Sequence, residues 1–278
     1  MHRLLVALLV PVIAVGAAGG MYLLVANSGS DVDAPASPSR ASAQAGVTPE
    51  RPRLESAGNV CQGFLSRPDP SAERVFSSEY TTRVEVNGIY IVANARVSQK
   101  AVENAIATVE RVFANNDLEE VLVAEGAYVI IADSSQGVLD LPEFRCLESE
   151  RNSEFFTHVC GVADRADYPV VTVNERDLTG DRRGPCRGLN ILYHELGHLV
   201  QGWTLGPVDY LETRYLYQAA LDAGKYRDSY AATNYHEYFA EGTQAYFLHV
   251  EPGGGKDREW LRDYDPPLFE LLDALYGD

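Results

Sequence analysis

Apolar positions in this chain cluster in short runs at first and later recur at helical spacing. Val84 to Asn94 is rich in β-branched and aromatic residues and is interrupted by the turn-forming pair Asn87-Gly88. That pattern predicts a short hairpin or a bulged strand. Behind Ser98, a residue suited to an N-cap, Ala101, Ala105, Val109 and Val112 fall near helical spacing up to Ala114. Val121 to Ala124 fits either element. Ala127 to Ala132 is a continuous apolar run of strand length, expected to be buried on both faces. Asp140 to Ala163 reads as loop, and Val170 to Val173, after Pro169, as another strand.

Helical spacing dominates the remainder. A helix is expected from Arg187 or Gly188 to about Gln201, with Leu189, Leu192, Leu196 and Leu199 as its apolar stripe. A second runs from Asp209 to Gly224, with Leu211, Tyr215, Leu216 and Ala219 facing inward and Gly224 as C-cap. A third runs from about Tyr235 to His249. Strands and one helix thus precede a helical half, which predicts an α+β domain with a small sheet.

The first of these helices carries a second face, formed by His194, His198 and Gln201. His194-Glu195-Leu196-Gly197-His198 is an H-E-x-x-H pattern, in a chain with six histidines. Residues i and i+4 stack on one helix face, so both imidazoles can ligate one zinc ion with Glu195 beside it as a general base. Gly197 costs about 1 kcal/mol relative to Ala in a helix interior. The expected reason is close approach of another backbone, that of the helix bearing a third ligand. Glu237 is the candidate for that ligand, and Glu241, four residues on, shares its face. Glu241 is expected to accept the free N–H of a ligating histidine. Asn234 followed by Glu237 also fits a capping box, so Glu237 has a competing structural role. His236 and His158 are further possible ligands, one on a neighbouring face and the other in a loop.

Tyr230 to Phe247, taken with the H-E-x-x-H helix, resembles the gluzincin zinc peptidases of the anthrax lethal factor family. The resemblance runs from Tyr193 to His249 and implies a zincin-like metallopeptidase domain. It implies His194, His198 and Glu237 as zinc ligands, Glu195 as catalytic base, a supporting Glu241 and a catalytic Tyr230. Tyr210 and Tyr226 are the fallbacks for Tyr230. Gly242-Thr243-Gln244 departs from the lethal factor pattern, little N-terminal to the match resembles the family, and no counterpart of its substrate-docking domains is expected, so no substrate is carried over. The expected activity is hydrolysis of peptide bonds by metal-activated water, in a zinc endopeptidase acting on a peptide or protein. An extended substrate is expected to pair with a sheet edge at Val170–Val173. The rival from another class is a catalytically inactive, zinc-stabilised binding module of the cell envelope.

The N-terminus adds a compartment. Leu4 to Ala26 holds no charge and is mostly apolar over 23 residues, longer than the roughly 7–15 of a signal-peptide core. Residues 1–26 are therefore read as a membrane anchor, or as a signal peptide given Pro11 and the small run Gly16 to Gly20. Residues 27–58, with Pro35, Pro38, Pro49 and Pro52 and no apolar periodicity, read as a flexible linker. Residues 59–278 form the expected domain, extracytoplasmic and either membrane-anchored through residues 4–26 or secreted. Acidic and basic residues balance in residues 1–58, so the net charge of −17 falls on that domain. Such a surface repels phosphate backbones and excludes nucleic acid as a partner. The four cysteines, Cys61, Cys146, Cys160 and Cys186, form no C-x-x-C pair, so disulfides are expected instead of a thiolate metal site. The favoured pairs are Cys146–Cys160 and Cys61–Cys186.

Overall fold

The computed structural model describes residues 76–145, 156, 159–163, 169–248 and 255–277. The expected anchor and linker, Cys61, Cys146 and His158 lie outside the described residues. No helix among the described residues is long and apolar enough to cross a membrane.

A five-stranded mixed sheet and eight α-helices make up the described residues, an α+β arrangement. β1 (Thr82–Val86) and β2 (Ile89–Ala93) form the hairpin. Its two-residue turn places Asn87 and Gly88 at φ 50° and 81°, the left-handed conformation that a tight hairpin turn requires. α1 (Gln99–Val112) follows, with the Ser98 hydroxyl accepting from the Ala101 amide and the four expected apolar residues buried. The ambiguous stretch is helical, as α2 (Leu118–Ala124). β3 (Tyr128–Ala132) lies parallel to β2 on one side and to β5 (Val170–Asn174) on the other. A two-residue β4 (Gly161–Val162), inside the segment read as loop, pairs antiparallel with β5. The strand order is β1-β2-β3-β5-β4.

Burial on both faces explains the unbroken apolar run of β3. Ile91, Val129, Ile131, Val171 and Val173 join the helical core, whereas Val92, Tyr128, Ile130 and Val170 pack with Phe76, Leu141 and Phe144 on the opposite face. β5 is equally buried, held between β3 and β4. The expected substrate edge at Val170–Val173 is therefore corrected: that strand is interior, and among the described residues β4 forms the sheet edge on this side.

α3 (Glu175–Leu178) continues directly from β5, and α4 (Leu192–Leu199) carries the H-E-x-x-H residues. α4 starts later than the sequence predicts. Arg187 and Gly188 have φ of 57° and 81°, which no right-handed helix accommodates. The buried Asp177 carboxylate holds this turn by accepting from the amides of Cys186 and Gly188. Past Leu199 the chain widens into π-helical turns through Thr204.

α5 (Pro207–Asp222) buries a different face from the expected one. Leu211 and Tyr215 are 59% and 72% exposed, whereas Thr213 and Ala220 point inward. The hydroxyls of Tyr210 and Tyr217 decide the rotation, bonding Tyr235 Oη and the Ala232 carbonyl at 2.8 Å each. An aromatic ring with a hydrogen-bonding end gains both packing and polar partners there. The cysteine pairing also differs from expectation. Cys160 is bonded to Cys186, which excludes both favoured pairs. β4 carries Cys160 to the turn before α4, where Asp177 positions Cys186.

α6 (Tyr235–Phe247) packs across α4, and α7 (Arg258–Tyr264) and α8 (Pro266–Tyr276) cover its other side. Leu192, Leu196 and Leu199 are fully buried at the centre of this half with Phe239 and Tyr246. Gly197 lies where the two helices cross. A β-carbon there would sit 2.9 Å from Thr243 Cβ and 3.2 Å from the Ala240 α-carbon. Gly197→Ala should therefore destabilise the protein by about 1–3 kcal/mol, the overpacking range, although alanine is the better helix former. Urea unfolding measures this, and a variant as stable as wild type would contradict the close crossing.

Candidate metal centre

The helix crossing at Gly197 brings three side chains together. His194 and His198 extend from α4, one turn apart, and Glu237 from the first turn of α6. His194 Nε2 lies 3.1 Å from Glu237 Oε2, His198 Nε2 lies 3.1 Å from His194 Nε2, and His198 Nε2 lies 3.4 Å from Glu237 Oε2. These atoms form the one His/Cys/Asp/Glu group among the described residues that could hold a metal ion.

Their spacing fits zinc. Bonds of about 2.1 Å at tetrahedral angles place ligand atoms roughly 3.4 Å apart. Neutral imidazoles have only one N–H each to share, so three acceptor-bearing atoms converging on one point favour a cation between them. Two imidazoles and a carboxylate also form the donor set of open, hydrolytic zinc sites.

The local sequence explains why Glu237 is available. Asn234 is the N-cap of α6, its side-chain oxygen accepting from the amides of His236 and Glu237 at 2.9 and 3.0 Å. Only the Asn234 half of the expected capping box is made, and the Glu237 carboxylate turns to the two histidines instead of back to the Asn234 amide. Burial alone would raise the Glu237 pKa, but the bonds from His194 and His198 outweigh it and hold the carboxyl well below its usual range. Burial opposes protonation of His194, yet Glu237, Glu195 and Glu241 together raise its pKa.

Around this cluster the other predicted residues take distinct places. Glu195 is buried on α4, and that burial raises its pKa against the lowering influence of His194 and His198. Glu241 Oε1 stands 3.6 Å from His194 Nδ1, the ring nitrogen facing away from Glu237, and Lys256 Nζ lies 3.6 Å from its other oxygen. Tyr230 opens a short 3₁₀ turn before α6 and is 47% exposed, its ring centroid 6.3 Å from that of His194. Burial of its hydroxyl and the charges of Glu237 and Glu195 push that phenol pKa upward. Neither fallback competes: Tyr210 bonds Tyr235, and Tyr226 is buried among Tyr238, Trp260 and Tyr264. His236 stays out of the cluster. Its Nδ1 meets Gln201 Oε1 at 2.7 Å, and burial and nearby His198 lower its pKa to about 4.

Sequence reasoning placed one further contributor only on the polar stripe and missed another. Gln201, the third member of the expected polar stripe, lies in the π-helical turns that continue α4 and ties them to α6 through His236 and the Tyr235 carbonyl. Gly161 on β4 abuts the Glu195 carboxylate: a β-carbon added there would lie 2.9 Å from Glu195 Oε1. The Gln201 contact was signalled by its position one turn beyond His198, whereas no local pattern marks a two-residue strand.

No curated protein matches the chain. The profile of one family, described as anthrax toxin lethal factor, N- and C-terminal domain, matches residues 77–275, which span the sheet, the candidate centre and the last helix. The chain belongs to the anthrax lethal factor family.

Proposed function

We propose that this chain is an exported zinc endopeptidase, with a zincin-like domain in residues 59–278 held at a membrane by residues 4–26 or released from it. The observation that carries this reading is the mutual spacing of 3.1–3.4 Å among His194 Nε2, His198 Nε2 and Glu237 Oε2. These three would hold zinc, with Glu241 orienting His194. Bound zinc supplies Lewis acidity, which makes a water molecule acidic enough to act as a nucleophile near neutral pH.

The chain's own residues would then move the protons. Glu195, its carboxyl made more basic by burial, accepts the proton of the attacking water and returns it to the leaving amine. The Tyr230 hydroxyl, kept protonated by its surroundings, donates to the carbonyl oxygen as negative charge develops there. β4, the edge strand among the described residues, would offer an extended peptide main-chain partners beside Glu195. The Cys160–Cys186 bridge supports an oxidising compartment, and the net charge of −17 argues against nucleic acid as a partner.

Elemental analysis of purified protein should find one zinc per chain, lost in His194→Ala. Full zinc occupancy in Glu237→Ala would remove Glu237 from the ligand set. Digestion of a peptide library should show cuts abolished by a chelator. Glu195→Gln should keep zinc and lose nearly all cleavage, because no group remains to take the water's proton. If zinc-loaded wild type and Glu195→Gln both leave the library uncut, the inactive binding module replaces the peptidase. Tyr230→Phe should lower kcat by about 10²–10³-fold, the loss seen when one oxyanion donor is removed. An unchanged kcat would take Tyr230 out of the chemistry.

A further inference from the structure

The edge strand beside Glu195 has little of its own to hold it. β4 pairs with β5 only through Gly161 opposite Val173 and Val162 opposite Thr172. Strands usually run about three to ten residues, so this ladder is below the ordinary minimum. Its position is nevertheless tightly set. A β-carbon on Gly161 would meet Ile191 Cδ1 at 2.8 Å and Glu195 Oε1 at 2.9 Å, and would collide with the Thr172 carbonyl. The Gly161 backbone therefore forms one wall of the space that holds the Glu195 carboxylate.

Cys160 immediately precedes Gly161 and is bonded to Cys186. Cys186 sits in the turn before α4, its amide donating to the Asp177 carboxylate at 3.0 Å, with the Gly188 amide donating at 2.8 Å. Asp177 lies on α3, which continues from β5 without a loop. The bridge thus fastens β4 to the corner of β5, α3 and the turn from which α4 and Glu195 emerge. The metal cluster is built elsewhere, by the crossing of α4 and α6.

We propose that the Cys160–Cys186 bridge is a positioning device. It holds the Gly161 backbone against Glu195 and sets the substrate-facing edge, so that efficient cleavage requires the bridge and metal binding does not. The proposal rests on the peptidase reading, and it makes the chain a poor protease wherever its thiols stay reduced.

The test uses full-length, zinc-loaded protein. Tris(2-carboxyethyl)phosphine, which carries no thiolate to compete for zinc, reduces the bridge to two thiols and is itself oxidised to its phosphine oxide with an oxygen from water. A reductant does not distinguish among the four cysteines of the chain, so Cys160→Ala/Cys186→Ala is compared with Cys61→Ala/Cys146→Ala. The first pair should keep its zinc while kcat falls at least about tenfold, with a smaller change in KM, because misplacing a reacting group by about 1 Å can cost up to 10²-fold. The second pair should lose much less. Reoxidation of reduced wild type should restore kcat. Gly161→Ala leaves the bridge intact but crowds Glu195, and it should lower kcat with zinc retained. It carries the test, together with the reduction cycle, if Cys160→Ala/Cys186→Ala does not fold. Full kcat in wild type with the bridge verified open overturns the proposal, as do loss of zinc in step with activity and an equal loss in the Cys61→Ala/Cys146→Ala pair. If wild type shows no chelator-sensitive cleavage, the peptidase reading fails by itself. Hydrogen exchange then decides the positioning claim: faster exchange of the Gly161 and Val162 amides on reduction supports it, and unchanged exchange overturns it.

Discussion

The close crossing of α4 and α6 at Gly197 is the constraint on which the candidate centre depends. Without a side chain there, Thr243 and Ala240 of α6 approach the α4 backbone, and Glu237 comes within 3.1 and 3.4 Å of the two histidine Nε2 atoms. Any side chain at position 197 would separate the helices. The apolar faces that flank the crossing, Leu192, Leu196 and Leu199 from α4 and Phe239 and Tyr246 from α6, fix the rotation of each helix. Packing thus aims the polar groups, and the polar groups do not hold the helices together unaided.

That arrangement concentrates ionisable groups where water is scarce. His194, Glu195 and Glu237 are all buried, and charges taken out of water are costly unless they are paired or bound to a metal. A divalent cation among the three ligand atoms would offset that cost, with Glu195 held beside it on the same helix. The Asn234 cap matters for the same reason. Its side chain alone satisfies the His236 and Glu237 amides, so the first turn of α6 is capped while the Glu237 carboxylate faces the histidines.

Much of this was legible in the chain because the signals are local. The i,i+4 histidines, the Glu237–Glu241 pair, the Asn87-Gly88 turn and the apolar run of β3 each announce their geometry within a few residues. The role of Gly197 was readable too, since a helix keeps a destabilising glycine for a reason. Features set by distant partners were not legible. The rotation of α5 follows from tyrosine hydroxyls reaching Tyr235 and Ala232, which no apolar periodicity encodes. The late start of α4 depends on Asp177 capturing the Cys186 and Gly188 amides from another element. The Cys160–Cys186 pairing and β4 depend on the fold bringing two loops to one edge of the sheet. Separation along the chain is silent on that.

X-ray absorption at the zinc edge tests the central claim most directly, because it reads the ligand set without reference to activity. On zinc-loaded full-length protein the account predicts a four-coordinate site of nitrogen and oxygen donors at about 2.0–2.2 Å, with the scattering signature of two imidazoles. The spectrum should change when Glu237 is replaced by Gln. A sulfur shell near 2.3 Å, a site with fewer than two imidazoles, or a spectrum indifferent to Glu237 would contradict the account.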